Sequence, residues 1–192
     1  EGDAEDRVVA GSSPALGTTT KLRIFNLTQP CSFEEDSFMW ERYYSTLRKL
    51  PKRLKQPVPF VIEVLPTLRS CNTKSMLDLG CGAGRNCIHL AKENFDVIGV
   101  DISISALKIA DKLSKKEKLK NTSFVRATMT SLPFHDCSLD TVISISVIHH
   151  ARKKDITQTI NEIYRVLKKN GLFLANLTSV KDPRYGTGQK VE

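Results

Sequence analysis

The residues with the clearest chemical potential in this sequence lie in the stretch LDLGCGAGRN, where three alternate glycines follow an acidic residue. Gly80, Gly82 and Gly84 have no Cβ atoms, so the backbone can adopt unusual dihedral angles and a ligand can approach it closely. Asp78 precedes them, and its negative charge would oppose a pyrophosphate and favour a cationic ligand. The stretch therefore predicts a binding loop for a ligand that carries positive charge.

Two common nucleotide-binding motifs do not match this loop. A dinucleotide fingerprint needs Gly or Ala where this chain has Arg85, and no G-K-[ST] sequence follows to make a P-loop. A second acid, Asp101, follows Gly80 by 21 residues at the end of a predicted strand, where a carboxylate can accept both hydroxyls of a ribose. Together these features predict a nucleoside cofactor without a pyrophosphate. S-adenosylmethionine fits, because it joins a ribose to a cationic amino group and a sulfonium.

Arg85 is a candidate to bind the carboxylate of that cofactor. A cation at the start of a helix opposes the helix dipole, so helix stability does not explain this residue. The alternative is an exposed arginine that points into water.

Alternating strands and helices would position these residues. From residue 75 onward, short apolar strands alternate with helical patterns, which predicts parallel β-α-β units and a doubly wound α/β domain with helices on both faces of the sheet. Ligands bind such sheets beyond the carboxyl ends of the strands, where the glycine loop is expected. The predicted strands cover residues 75–79, 95–100, 122–127, 139–145 and 171–178, and the predicted helices cover residues 85–93, 103–119 and 155–169.

The beginning of the chain differs from the rest. Residues 1–35 are rich in Gly, Ser, Thr and Pro without periodicity, which predicts a flexible tail. Residues 36–192 are expected to form one domain, with N-terminal helices in 36–70, including one over 58–68, and a cofactor-binding core in 75–178.

Composition limits the classes of function. The chain has 192 residues, of which 40% are hydrophobic, enough for one soluble domain with a substantial core. No run approaches the roughly 18 apolar residues that a membrane helix needs, so no membrane partner is expected. Five cysteines without a C-x-x-C pair predict a reducing, cytoplasmic compartment and no metal site.

The net charge of +8 is concentrated in two runs, RKLPKRLK (residues 48–55) and KLSKKEKLK (residues 112–120). Neither run interleaves aromatic residues, as a single-stranded nucleic-acid site would. The second continues a helical pattern, and lysines at that end of a helix complement its dipole. Both runs are therefore interpreted first as solvated surface.

Residues 76–103, MLDLGCGAGRNCIHLAKENFDVIGVDIS, resemble the first two motifs of class I S-adenosylmethionine-dependent methyltransferases. The resemblance continues through FVRATMTSLPFHDCSLDTVISISVIHH and EIYRVLKKNGLFLANLTS and covers about residues 40–179. It implies a Rossmann-like fold, S-adenosylmethionine as cofactor and S-adenosylhomocysteine as product. The cofactor site expected from the loop and from the resemblance comprises Asp78, Gly80, Cys81, Gly82, Gly84 and Arg85, Asp101 at the ribose, Ile102, Thr128 and Met129 at the adenine, and Ser144, Ile145 and Tyr44 towards the methionine end.

The chain departs from the pattern of that family at two points. Many relatives have an aspartate for the adenine amino group where this chain has Thr128; a threonine hydroxyl can also accept a hydrogen bond, so weaker binding is expected. The family closes its sheet with two further strands after GLFLANLT, which we expect to be truncated here, leaving a sheet edge exposed.

Methyl transfer needs mainly orientation, and it needs a base only if the acceptor must lose a proton. His149 and His150 follow the fourth strand at the edge of the predicted cofactor site, so they are candidates for a catalytic base. The alternative is that they pack around the cofactor without taking part in proton transfer.

Three functions remain open from the sequence. The favoured one is methyl transfer to a small molecule, because DPRYGTGQKVE resembles a bacterial and archaeal methyltransferase group. ISISVIHH also resembles tRNA wobble-uridine methyltransferases, and the basic runs would then contact phosphates. With Thr128 substituted and the last strands missing, the chain could instead be a non-catalytic cofactor-binding or partner subunit.

Overall fold

A computed structural model describes residues 33–177, in which five parallel strands follow the third helix, with α-helices in three of the four connections between them. Two short 3₁₀ helices, Lys52–Leu54 and Ile148–His150, lie in connections. In chain order the main elements are α1 (Phe33–Ser45), α2 (Pro59–Glu63), α3 (Leu65–Ser70), β1 (Ser75–Leu79), α4 (Arg85–Lys92), β2 (Asp96–Asp101), α5 (Ile104–Lys116), β3 (Thr122–Arg126), β4 (Leu139–Ile145), α6 (Lys153–Val166) and β5 (Leu167–Asn176).

The strands form one parallel sheet in the order β3-β2-β1-β4-β5. Successive strands are added on one side of β1 as far as β3 and on its other side from β4 onward. The carboxyl ends of β1 and β4 therefore border the crevice where ligands bind in such folds. This confirms the predicted doubly wound α/β class. The expected loss of later strands concerns residues outside the described range and stays a prediction.

Both faces of the sheet are covered by apolar side chains. Met76 of β1 belongs to a cluster with Leu68 and Leu90 from α3 and α4, whereas its neighbour Leu77 belongs to a cluster with Ile163 from α6. Successive residues of a strand point to opposite faces, so one buried strand supplies both layers of the core.

Three predicted helices differ from the structure, and the one predicted over 103–119 is α5, which ends three residues early at Lys116. The helix predicted over 58–68 is two helices, α2 and α3, because Pro66 has no N–H group to continue the hydrogen bonding of the first. The helix predicted over 155–169 is α6, which ends at Val166 because Leu167 already pairs with Leu139 as the start of β5.

The predicted tail lies outside the described residues except for its last three, which begin α1. Within residues 33–177, no helix is both long and apolar enough to cross a membrane. The same part of the chain has no group of three or more His, Cys, Asp or Glu side chains arranged to hold a metal ion.

Candidate functional site

The glycine loop connects β1 to α4 at the crevice. All three glycines adopt left-handed backbone, with φ between 54° and 79°. The N–H groups of Gly80 and Cys81 donate to the carbonyl of Val100 at 2.8 and 2.9 Å, which fixes the loop against the end of β2. A Cβ atom on Gly80 would overlap with both methyl groups of Val147. Dihedral angles and lack of space therefore both require glycine here.

Asp101 lies beside this loop at the end of β2, half-buried. Its Oδ2 accepts from the N–H of Gly82 at 2.8 Å, and its Oδ1 accepts from the N–H of Ser103 at 2.9 Å. Burial raises the pKa of the carboxyl, and these two backbone N–H groups counteract part of the shift. Because a carboxylate oxygen accepts more than one hydrogen bond, each oxygen keeps capacity for a ribose hydroxyl.

Asp78 is buried beneath the loop, where the thiol of Cys87 donates to it at 3.2 Å. Burial raises the pKa of Asp78 to about 6, although the Cys87 hydrogen bond and the charge of Arg85 lower it. Since this value is still below 7, the carboxylate is mostly ionised at neutral pH. It places negative charge under the loop, as the sequence predicted.

Arg85 begins α4 and is half-buried, which argues against an arginine that points only into water. Its Nη1 donates to the carbonyl of Arg53 at 3.1 Å, and burial lowers its pKa.

Cys81 differs from the other predicted site residues, because it contacts the core and not the crevice. Its thiol packs in the core beside Gly99, where an added Cβ would lie 2.8 Å from the Cys81 sulfur. Cys81 thus supports the loop from below.

The predicted adenine residues lie after β2 and β3. Ile102 is half-buried, and Met129 packs against the apolar cluster on the α6 side of the sheet. The hydroxyl oxygen of Thr128 accepts from the N–H of Thr130 at 2.9 Å and also hydrogen-bonds the Thr130 hydroxyl. Because this hydroxyl is engaged within its own turn, it has less capacity for an adenine amino group, in line with the weaker binding expected from the sequence.

The end of β4 forms the opposite wall of the crevice. Ser144 and Ile145 are buried there, and the Ser144 hydroxyl oxygen has no hydrogen-bond partner among residues 33–177. A buried polar atom without a partner costs free energy, so this hydroxyl is a local destabilising feature of β4. Ser146 follows with φ of 59°, an uncommon backbone angle for serine that turns the chain away from the strand.

An aromatic cluster lies between α1 and the 3₁₀ helix after β4. The ring centroids of Trp40 and His150 are 5.7 Å apart in an edge-on arrangement, and the two histidine rings are 4.3 Å apart. Tyr43 and Tyr44 are 5.0 Å apart, also edge-on. The sequence predicted Tyr44, His149 and His150 in the site but missed Trp40. The spacing of Trp40, Tyr43 and Tyr44 at i, i+3 and i+4 is the signal that would have placed all three on one helix face.

Tyr44 brings α1 directly onto the glycine loop. It is buried, and a Cβ atom on Gly82 would overlap with its hydroxyl oxygen. Burial and the negative charge of Asp101 raise the pKa of Tyr44 far above its usual value. The tyrosine therefore stays protonated and can donate a hydrogen bond at the loop.

His150 has the opposite electrostatic setting. Burial and the neighbouring His149 lower its pKa to about 4, although the hydrogen bond that the ring donates to the backbone carbonyl of Ser146 raises it. The imidazole is therefore neutral at pH 7 but only weakly basic. A general base works best with a pKa near the working pH, so this histidine is poorly matched to proton abstraction.

Glu41 joins α1 to the start of α5, and no pattern in the sequence predicted this role. Its Oε2 accepts from the Ser103 hydroxyl at 2.9 Å and from the Ser105 N–H at 3.1 Å, and its Oε1 accepts from the Ser105 hydroxyl. Burial opposes ionisation of Glu41, but the hydrogen bonds from Ser105 and Ser103 outweigh it, and its pKa lies below the usual value.

The chain is similar in sequence to known proteins. Residues 76–171, which are half of the chain, match the family profile described as "Methyltransferase domain". The uncharacterized methyltransferase YcgJ of Bacillus subtilis is 32% identical over 99 residues, covering 52% of this chain and 38% of YcgJ. Norajmaline N-methyltransferase of Rauvolfia serpentina is 35% identical over 95 residues, covering 48% of this chain and 32% of that enzyme. The chain thus spans less than half the length of these curated relatives.

Solved structures share the fold. The crystal structure of YcgJ superposes with a TM-score of 0.52 and 27% identity, covering 57% of this chain and 47% of that one. A SAM-dependent methyltransferase from Methanosarcina mazei superposes with a TM-score of 0.50 and 27% identity, covering 59% of this chain and 54% of that one.

Proposed function

We propose that this chain, which belongs to the methyltransferase domain family, transfers the methyl group of S-adenosylmethionine to an acceptor molecule. The observation that carries the proposal is the junction between the glycine loop and Asp101, where the Gly82 N–H donates to Oδ2 at 2.8 Å. It supports the proposal because a carboxylate at the end of the second strand, beside backbone without Cβ atoms, is what binding of a ribose requires in such folds.

Each end of the cofactor has candidate residues in this chain. Asp101 would accept the ribose hydroxyls, while Ile102 and Met129 would flank the adenine. Asp78 supplies the negative potential that favours the cationic amino group, and Arg85 is the candidate for the carboxylate.

The cofactor supplies a methyl group already activated by a sulfonium, so the protein mainly orients the acceptor and excludes water. In this chain α1 serves both purposes. Tyr44 covers the loop, and Trp40 packs on His150. Because His150 is weakly basic, we assign it a packing role and expect an acceptor atom that needs no strong base.

For the acceptor, we favour a small molecule. One relative is named norajmaline N-methyltransferase, for methyl transfer to a nitrogen of norajmaline, and it is 35% identical over 95 residues. The tRNA alternative has one observation in its favour: Arg53, from the first basic run, lies at the site, where its Nη2 donates to the Tyr43 hydroxyl at 3.1 Å. The second run lies partly in ion pairs, since Lys115 binds Asp111 at 2.7 Å.

The test of cofactor binding is calorimetric titration of the chain with S-adenosylhomocysteine. We expect saturable 1:1 binding that weakens about 10- to 100-fold in Asp101→Ala, because hydrogen bonds to charged groups are worth about 1.5–3 kcal/mol each. Asp111→Asn is the matched control, an acid of α5 whose ion pair lies at the surface. NAD serves as the control ligand. Absence of binding to a folded chain, or equal affinities of both variants, would refute the cofactor assignment.

The acceptor classes are separated by the salt dependence of RNA binding. A phosphate-binding surface releases counterions, so affinity for tRNA would fall steeply with salt and would depend on Lys52 and Arg53. Lys116→Gln with Lys118→Gln is the matched control in the second run. We expect weak, non-saturable tRNA binding that is the same when Lys52 and Arg53 are changed to Gln as when Lys116 and Lys118 are. Cofactor binding without turnover on any acceptor would favour the non-catalytic alternative.

A further inference from the structure

Glu41 makes the side-chain hydrogen bonds that join α1 to α5. Within the described part of the chain, hydrogen bonds from α1 side chains to other elements come from Glu41 and Tyr43, and those of Tyr43 lead to Arg53. Glu41 therefore ties α1 to the cofactor side of the sheet. It stands three residues before Tyr44 and so faces the same side of the helix.

The hydrogen-bond donors of this contact lie at the first turn of α5. Four backbone N–H groups at a helix start have no partner within the helix, and the positive end of the helix dipole lies there. α5 has no acidic residue in its own first turn. The carboxylate of Glu41 supplies the missing negative charge from another helix by binding the Ser105 N–H at 3.1 Å.

Ser103 links this contact to the predicted ribose site. Its hydroxyl donates to Glu41 and accepts from the Ala106 N–H at 3.1 Å, while its own N–H donates to Asp101 at 2.9 Å. One fully buried residue therefore touches both the carboxylate of α1 and the carboxylate expected to hold the cofactor. A shift of α1 away from α5 breaks bonds that also define the turn after Asp101.

We propose that Glu41 is a positioning residue, which latches α1 over the cofactor loop through Ser103 and Ser105 and so slows release of the cofactor. The effect on the cofactor rests on the proposed function. The latch itself, which is the set of hydrogen bonds from Ser103 and Ser105 to Glu41, is a property of the free protein. With the latch closed, Tyr44 lies on Gly82 and Trp40 packs on His150. With it open, both aromatic covers leave the site together, because one helix carries them.

The latch is tested first by hydrogen exchange on the free protein. In Glu41→Ala, the amides of residues 40–47 and 103–106 should exchange faster, while the amides of β1 and β4 keep the wild-type rate. Glu41→Gln retains an acceptor oxygen without charge and should fall between the two. Arg42→Ala, an exposed neighbour on α1, is the matched control and should match the wild type. Unchanged exchange at 40–47, or faster exchange across the whole sheet, would overturn the latch.

Its effect on the ligand is tested by the dissociation rate of S-adenosylhomocysteine. Glu41→Ala should raise this rate roughly 10-fold, the change that follows from losing about 1.4 kcal/mol. Ser105→Ala should raise it less, and the double variant should equal Glu41→Ala alone, because both remove the same contact. Equal dissociation rates in wild type and Glu41→Ala would overturn the positioning role. If the wild type binds no S-adenosylhomocysteine while exchange at 40–47 still depends on Glu41, the proposed function fails and the latch stands.

Discussion

The two sides of the candidate site are built in different ways. The loop side, residues 80–84 with Asp101, is held by backbone hydrogen bonds and by glycines that no other residue can replace without strain. The cover side, residues 40–44 with residues 148–150, is held by aromatic rings packed edge-on and by the carboxylate of Glu41. Backbone geometry tolerates little change, whereas a side-chain cluster can be rebuilt by substitution. The loop side therefore suits the proposed cofactor, and the cover side suits the proposed acceptor.

The largest expected effect comes from adding one carbon to the loop side. Gly80→Ala forces a left-handed φ of 73° on alanine, at about 1–2 kcal/mol, and overlaps with Val147, at about 1–3 kcal/mol more. We expect a lower melting temperature and loss of S-adenosylhomocysteine binding. Adding Val147→Ala should recover the stability lost to overlap but not the part due to strain. If Gly80→Ala had the melting temperature and ligand affinity of the wild type, the loop side would tolerate substitution as well as the cover side does.

The second effect is a pair of pH dependences with opposite signs. Folding raises the pKa of Asp78 to about 6, so the folded chain holds a proton that the unfolded chain has released, and the unfolding free energy falls as pH rises from about 4 to 6. Folding lowers the pKa of His150 to about 4, so its contribution is present above pH 6.5 and is lost as pH falls towards 4. Denaturant titrations of Asp78→Asn and His150→Phe between pH 4 and 7 should differ from wild type with opposite slopes. The Asp78 difference should be on the order of 3 kcal/mol across the window.

The affinity for the ligand should also depend on the ionisation of Asp78. A cationic amino group prefers the ionised form of Asp78, so S-adenosylhomocysteine should bind more tightly as pH rises through about 6, although the fold loses stability over the same range. In Asp78→Asn the affinity should be flat with pH. If affinity and unfolding free energy both fell as pH rises through about 6, the charge of Asp78 would not contribute to ligand binding.

The third effect is a coupling between Gly82 of the loop side and Tyr44 of the cover side. In Gly82→Ala the new methyl group overlaps with the hydroxyl of Tyr44, the far end of a side chain, and φ of 54° adds strain. Tyr44→Phe removes that oxygen, so the double variant should be more stable than Gly82→Ala alone by about 1 kcal/mol. Denaturant titration of the four proteins gives the coupling energy. Additive free energies would mean that Tyr44 moves away at no cost and that the two sides are independent.

The same contrast explains what could be predicted from the sequence. Gly80, Gly82, Gly84 and Asp101 have local causes: a turn that only glycine permits, and a strand end at a known offset. The parallel sheet was predictable because apolar strands of fixed length alternate with helices. Glu41 could not be predicted, because its partners lie more than 60 positions away in the chain, at a helix start that gives no sign of needing an acid from elsewhere.

Boundary errors had a different physical origin. Residues 167–169 follow α6 without a break in helical pattern, and only pairing with Leu139 assigns the first of them to β5. Tertiary contacts overrode local preference there. Thr128 could be read as a departure from the family pattern, but the engagement of its hydroxyl by Thr130 became visible only in the folded turn.

The smallest effect tests whether Trp40 belongs to the cover side alone. Trp40→Ala removes its edge-on contact with His150, and such aromatic pairs contribute about 0.5–1.5 kcal/mol. We expect faster amide exchange in α1 and less than about a fivefold change in S-adenosylhomocysteine affinity, because the ligand would lose less than about 1 kcal/mol of binding free energy. Trp40→Phe keeps an aromatic edge and should restore most of the protection. If Trp40→Ala weakened cofactor binding as much as Asp101→Ala does, the aromatic cover would be part of the cofactor site itself. Acceptor selectivity would then have to come from other residues around the crevice.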